Sequence, residues 1–291
     1  MLDAIIERNV TPVCAKSYWD HAARSFSVLG PPLKPSPEDI QFAENAVSNW
    51  CAEHPARAPQ ALLLGVTAEI AAMRWPEGSS LLAVDNSFAM VQTVWPGNVL
   101  NKRRVVCGDW LELPRASGSC DIVVGDGSMN CLRYPDGFRA LARSIRRILR
   151  PDGVLLLRSF VLPEVKDSLE QTFADLFNRK FPTVNHFKYQ LLMAMQRSAK
   201  QGIAVEDVYR EWARRKINKD ELLTLTGWEP QSLQSIELYK DQDVVHTFPT
   251  VAELRSVLAE FFDEVSMSTP GYFLGDRCPS FVLAPRAGVP R

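Results

Sequence analysis

The chain predicts an α/β fold, a doubly wound and mostly parallel sheet, on three observations. Five short apolar runs between residues 61 and 160 alternate with helical segments. The runs lack the polar alternation of a half-exposed strand, so they belong in a sheet covered on both faces. The first three end in a glycine or an acid, at the strand ends where such sheets bind ligands.

Residues 1–55 read as a helical N-terminal arm. Ser36-Pro37-Glu38-Asp39 is a helix start, with a hydroxyl cap, Pro at the first helical position and acids in the first turn. Ile40, Ala43, Val47 and Trp50 then mark one face. The stretch 30–35 before it is too proline-dense for a helix or a central strand and predicts an extended crossing segment.

Residues 56–162 form the Rossmann-like core. Run 61–64 enters Gly65-Val66-Thr67, with a helix at 68–74. Run 81–84 ends at Asp85, with a helix at 87–94 stopped by Trp95-Pro96-Gly97. Run 104–107 ends in Gly108-Asp109-Trp110, and run 121–124 in Gly125-Asp126-Gly127-Ser128. A helix at 138–149 carries Phe138, Leu141, Ile145 and Ile148 on one side, and Pro151-Asp152-Gly153 turns the chain into a fifth strand at 154–157. Residues 163–247 lie between strands five and six, and from 163 to about 227 they show helical signatures at 164–179, 187–195 and 205–215 and a further helix opened by Asn218 with Glu221 and closed by Gly227, with no convincing strand. They read as a helical insertion between strands five and six. In 248–291 Thr250 with Glu253 caps a helix, and 265–268 and 280–284 are two strands that complete the sheet.

A chain of 291 residues with 46% apolar and 23% charged content has the composition of a globular protein. A formal net charge of -1 provides no global field for nucleic acid or an anionic membrane. The cysteines at 14, 51, 107, 120, 131 and 278 form no C-x-x-C pair and have no histidine cluster, which predicts small buried thiols and no metal. Asp3, Glu7 and Arg8 interrupt any signal-peptide apolar region, and no 18-residue apolar run exists, so a cytoplasmic chain without a membrane span is expected.

The strand ends suit one ligand. A dinucleotide would need three glycines at the first turn, and only Gly65 is present. S-adenosylmethionine has no pyrophosphate and needs only one close backbone approach, and its carboxylate suits the turn and helix dipole. Asp85, some 20 residues further on, has two acceptor oxygens for a ribose diol; a cap for the helix after it is the alternative. Asp109 can accept the adenine amino group while Trp110 packs on the ring, or Trp110 is a plain core aromatic. Gly125-Asp126-Gly127-Ser128 allows backbone approach, with Asp126 on the ligand's ammonium or facing the acceptor, or as a solvated turn residue. The expected cofactor-binding set is Gly65, Val66, Thr67, Asp85, Asn86, Ser87, Met90, Gly108, Asp109, Trp110, Gly125, Asp126, Gly127 and Ser128.

Over roughly 56–160 and 250–285 the chain resembles a class I S-adenosylmethionine-dependent methyltransferase. Leu62-Leu63-Leu64-Gly65-Val66-Thr67 lies where that family has its glycine motif, Asp85 at its ribose acid, and Gly108-Asp109-Trp110 at its adenine contact. The segment 121–128 matches the fourth-strand motif, and Leu149-Arg150-Pro151-Asp152-Gly153 the turn before strand five. The glycine motif departs from the usual G-x-G-x-G and is similar to a bacterial subgroup with Leu-Leu-Gly-Val-Thr, substrate unassigned. The resemblance implies a seven-stranded sheet whose last strand is antiparallel, S-adenosyl-L-methionine as cofactor and S-adenosyl-L-homocysteine as product.

The expected reaction is in-line methyl transfer to a small-molecule acceptor, with the arm and the insertion as a lid. The catalytic base is not readable; His21, Tyr18 and Asp126 are candidates, with Tyr134, His186 and His246 behind them. Phe187, Tyr189 and Trp212 could line the acceptor pocket or simply pack. Rival readings are a nucleic-acid (RNA) methyltransferase, suggested by the basic excess at 197–219, a dinucleotide oxidoreductase, and a non-catalytic S-adenosylmethionine-binding module. A homodimer is left open.

Overall fold

The computed structural model describes residues 18–26, 29–97 and 103–288. Seven strands form one sheet: β1 (Gln60–Leu64), β2 (Ser80–Asp85), β3 (Arg103–Cys107), β4 (Cys120–Asp126), β5 (Leu149–Arg158), β8 (Phe262–Ser268) and β9 (Ser280–Pro285). Their order is β3-β2-β1-β4-β5-β9-β8. Pairings from β3 through β5 are parallel, and β9 runs antiparallel to both β5 and β8. The strand order reverses between β1 and β4, the switch point at which open α/β sheets receive ligands.

The apolar runs are continuous because each face of the sheet is covered. On one face Leu62 and Leu64 of β1 join Val123, Leu155 and Leu157 beneath helix α5 (Asp136–Ile148) and helix α11 (Val251–Leu258). On the other, Ala61 and Leu63 join Ile122, Val124 and Leu156 beneath α2 (Pro37–Glu53), α3 (Ala68–Ala72) and α4 (Phe88–Thr93). Each leucine buried this way contributes roughly 1.5–3 kcal/mol. The expected capping boxes form: Asp39 N donates to Ser36 Oγ at 3.2 Å and Glu253 N to Thr250 Oγ1 at 3.2 Å.

Several boundaries differ from the sequence reading. Pro151-Asp152-Gly153 lies inside β5 as an irregularity, with Leu149 opposite Cys120 and Val154 already opposite Ile122. The first helix of the insertion is α6 (Leu169–Phe177), because Ser168 accepts Gln171 N at 3.0 Å and caps it there. After α7 (Val184–Met195), β6 (Ile203–Ala204) pairs with β7 (Val245–His246), a two-residue ladder in or beside a region where no strand was expected. Helices α8 (Val205–Arg214), α9 (Lys219–Thr226) and α10 (Gln234–Glu237) fill the space between them. Asn218 caps α9 and Gly227, at φ 72°, ends it, as the sequence predicts. The insertion has its own apolar cluster, in which Phe173, Phe187, Tyr189 and Trp212 meet.

The cysteines are not uniformly buried. Cys120 and Cys278 are, Cys51 and Cys131 are half-buried, and Cys107 is exposed because β3 is the edge strand; Cys14 lies outside the described residues. Among the described residues no helix is long and apolar enough to cross a membrane, and no group of three or more His, Cys, Asp or Glu is placed to hold a metal ion.

Candidate active site

A cavity of about 250 Å³ opens at the C-terminal ends of β1, β2 and β4. The strand ends supply one side: Leu64 to Thr67, Asp85, Asn86, Asp109, Trp110, Asp126 and Gly127. The opposite side comes from α1 (Tyr18–Ser25) through Tyr18, Trp19 and Ala22, and from the insertion through Lys188, Tyr189, Leu192, Ser235 and Tyr239. Cys131, Phe160, His246 and Phe248 close the remaining wall.

Gly65 turns with φ 96°, which only glycine adopts without cost. A Cβ there would stand 3.8 Å from both Asp85 Oδ2 and the Trp110 ring, so the missing side chain leaves a cradle between strand ends. Asp85 is buried; its Oδ1 accepts Ser87 N at 2.8 Å while Oδ2 faces that cradle. Burial pushes its carboxyl up to about 6, opposed by the Ser87 hydrogen bond. The helix cap considered as an alternative falls to Ser87, whose Oγ accepts Met90 N at 3.2 Å. Trp110 holds its ring in place by donating Nε1–H to Val84 O at 2.6 Å. Exposed Asp109 lies on the cavity rim, with Oδ1 accepting Leu111 N at 2.9 Å.

Asp126 is less free than the sequence suggests. Its Oδ1 lies 2.6 Å from Arg158 Nη1, both side chains being buried. Burial raises the Asp126 carboxyl and Arg158 works against that rise. Arg158 also donates to Pro32 O at 2.5 Å and Tyr272 Oη at 3.0 Å, and lies 3.4 Å from Asp39 Oδ1. This clamp holds Asp126 in place as a wall of the cavity, with Oδ1 engaged by Arg158.

Of the expected cofactor set, Gly65, Val66, Thr67, Asp85, Asn86, Met90, Asp109, Trp110, Asp126 and Gly127 line the cavity, whereas Ser87, Gly108, Gly125 and Ser128 do not. Gly125 instead makes room for Ser128, since a Cβ on it would meet Ser128 Oγ at 2.6 Å. Of the base candidates, Tyr18, Asp126 and His246 line the cavity and His21, Tyr134 and His186 do not. His186 faces Thr183 Oγ1 at 2.9 Å, and Tyr134 Oη donates to Glu253 O at 3.4 Å. Tyr189 reaches the cavity, while Phe187 and Trp212 stay in the insertion core.

Two residues were missed. Lys188, 3% exposed on α7, lines the cavity, and burial pushes its amine down to about 7. Asn130, after the fourth-strand motif, donates Nδ2 to Phe160 O and Thr247 O, both at 2.7 Å, and accepts Phe160 N at 2.9 Å. It joins the ends of β4, β5 and β7. The basic segment is largely paired: Arg210 with Glu206 at 2.9 Å, Arg214 with Glu211 at 2.7 Å, Arg215 with Glu170 at 2.6 Å and Lys219 with Glu237 at 2.6 Å.

Residues 62–157 match the model of a methyltransferase domain. That span holds nearly all of β1 to β5, and with them the strand ends that form the cavity. The chain thus carries a methyltransferase domain over residues 62–157, set in a seven-stranded, mostly parallel α/β sheet.

The CcbJ methyltransferase of Streptomyces caelestis is similar in structure with a TM-score of 0.53 at 14% identity, over 94% of this chain and 100% of that one. A Rhodobacter sphaeroides protein provisionally described as a Zn-dependent alcohol dehydrogenase gives 0.60 at 13%, over 92% and 97%. The PH0226 protein of Pyrococcus horikoshii OT3 gives 0.50 at 12%, over 90% and 99%. Identities this low bear on the fold alone. No curated protein matches the chain in sequence.

Proposed function

We propose that this cavity binds S-adenosylmethionine along the strand ends and a small-molecule acceptor against the arm and the insertion. The observation that carries the reading is the meeting, in one enclosed space, of the Gly65 cradle and Asp85 with an aromatic wall contributed by segments outside the methyltransferase domain. Asp85 accepts from the ribose hydroxyls through Oδ2, Trp110 packs on the adenine with Asp109 at its edge, and Gly65 to Thr67 take the methionine end. The Leu-Leu-Gly-Val-Thr turn suits this because one glycine suffices where no pyrophosphate must approach.

The cofactor supplies an electrophilic methyl group on a sulfonium. Transfer consumes that positive charge, so a dry pocket that aligns the acceptor accounts for much of the rate. Residues 18–55 and 163–247 act as the lid that excludes water. A small acceptor is favoured over nucleic acid because the cavity is walled by packed aromatic side chains and four of the seven basic side chains at 197–219, Arg210, Arg214, Arg215 and Lys219, are in ion pairs. The reading needs no second copy of the chain.

A thermal-shift panel of S-adenosylmethionine, S-adenosylhomocysteine, NAD and NADP tests it, followed by S-adenosylhomocysteine release with small acceptors and with RNA. Saturation at 100 times the dissociation constant adds about 2.7 kcal/mol. Both adenosyl ligands should stabilise the protein, and neither dinucleotide should. Stabilisation by NAD alone, or turnover with RNA alone, defeats the proposal.

A further inference from the structure

Where the insertion lines the cavity stands an arrangement that a methyl donor does not explain. Lys188 Nζ is buried, and among the described residues its one hydrogen bond is a long one, 3.4 Å to Ser235 O. It lies 5.1 Å from the Tyr239 ring. Ser235 also lines the cavity, and its buried Oγ has no hydrogen-bond partner among the described residues.

Among the described residues, the titratable groups that face Lys188 are neutral. From β7, His246 is pushed down to about 4 by burial, so its ring carries no charge near neutrality. From α1 and from the chain after α10, the Tyr18 and Tyr239 hydroxyls are hydrogen-bonded to each other and both are raised by burial. On its own helix His186 is likewise held neutral by burial. No carboxylate contributes to the lysine's shift, whose cause is burial. A buried amine without a counter-ion is costly when charged. The Tyr239 ring beside it belongs to an aromatic cluster: Tyr18 stands edge-on to His246 with centroids 6.2 Å apart and lies 5.9 Å from Tyr239.

Resting on the reading of the cavity as a cofactor and acceptor site, we propose that the acceptor is a phenol, its ring held among these aromatics and its hydroxyl on Lys188 Nζ, and that Lys188 takes the phenolic proton. The O–H proton passes to the neutral amine, and the oxygen's electron pair forms the bond to the methyl carbon. The carbon–sulfur bond breaks with its pair retained on sulfur, and the ammonium then releases its proton to solvent. A phenol near pKa 10 needs such a base, and an amine near 7 is neutral often enough to serve. A carboxylic acid is already ionised at neutral pH and would need no base. A protonated amine would be repelled once the lysine is charged.

The test uses the cofactor-free protein and 4-nitrophenol, whose ionised form absorbs visible light. Bound to the wild type, the probe should ionise about one pH unit lower than in solution, a tenfold preference for the phenolate. Lys188→Met should abolish that displacement while keeping the thermal shift with S-adenosylhomocysteine, which also shows that the variant folds. Lys188→Arg should keep the displacement, since the cation remains, yet lose turnover of phenols, since arginine accepts no proton. A wild type that leaves the probe's ionisation unmoved or does not bind it, or a Lys188→Met variant that retains the displacement, overturns the proposal. Failure of S-adenosylhomocysteine to bind the wild type counts instead against the cofactor assignment of the cavity, and the absorbance result is read independently of it.

Discussion

Replacing Asp85 by Asn should stabilise the ligand-free protein while removing its grip on the adenosyl ligand. Burial lifts this carboxyl from 3.8 to about 6, so the folded state disfavours the charge that Asp85 carries at pH 8. At about 1.4 kcal/mol per unit, a displacement of about two units amounts to about 3 kcal/mol. The sign follows from proton binding: the native state keeps the Asp85 proton to higher pH than the unfolded chain does. Stability therefore declines as pH rises from about 4 to about 6, and the full loss persists above that window. Asparagine preserves the shape and an oxygen for Ser87 N, 2.8 Å away in the wild type. Urea denaturation should place Asp85→Asn about 2–3 kcal/mol above wild type at pH 8 and nearly level with it at pH 4. Saturating S-adenosylhomocysteine should then raise only the wild type. A stability difference that ignores pH, or a variant that binds the ligand with wild-type affinity, would refute the reasoning.

Two further substitutions test the frame of the cavity. Gly65→Ala places a Cβ at φ 96°, at a cost of about 1–2 kcal/mol, and fills the cradle beside Asp85 Oδ2. Calorimetry should show Tm a few degrees lower and no response to S-adenosylhomocysteine; a preserved response would place the methionine end elsewhere. Asn130→Ala strips partners from Phe160 N, Phe160 O and Thr247 O, and should lower stability by at least about 2 kcal/mol in urea. An unchanged midpoint would mean that the strand ends hold together without it.

The core strands themselves and the positions of Gly65, Asp85 and Trp110 at their ends were legible because each is a local matter: an apolar run, then a residue that the strand end requires. The clamp on Asp126 was not, since Arg158 lies 32 residues away and the two meet only once β5 pairs with β4. Lys188 escaped for a different reason. In the run 187–195 it reads as an ordinary helical lysine, yet α7 is buried from Val184 to Met193 without a break. Asn185, His186 and Gln190 give the helix polar positions beside the lysine, so the sequence carries no signal that this face is buried. The basic excess at 197–219 misled in the opposite direction, because partners such as Glu170 and Glu237 lie outside the segment. The turn expected at Pro151-Asp152-Gly153 became part of β5 because Gly153 lies against Asp121 O, where a Cβ would come within 2.8 Å.

Arg158 sits at the tip of a core strand, yet the oxygens that steady it come from Pro32, Asp39 and Tyr272. The residues just ahead of α2 are thus a buttress for the cavity floor and no mere appendage. Cutting the chain near residue 55, where its sequence invites dissection, would strip that guanidinium of neighbours and loosen Asp126 with it. A fragment or chimera meant to keep the ligand site has to carry the proline-rich crossing along, whichever lid is grafted above.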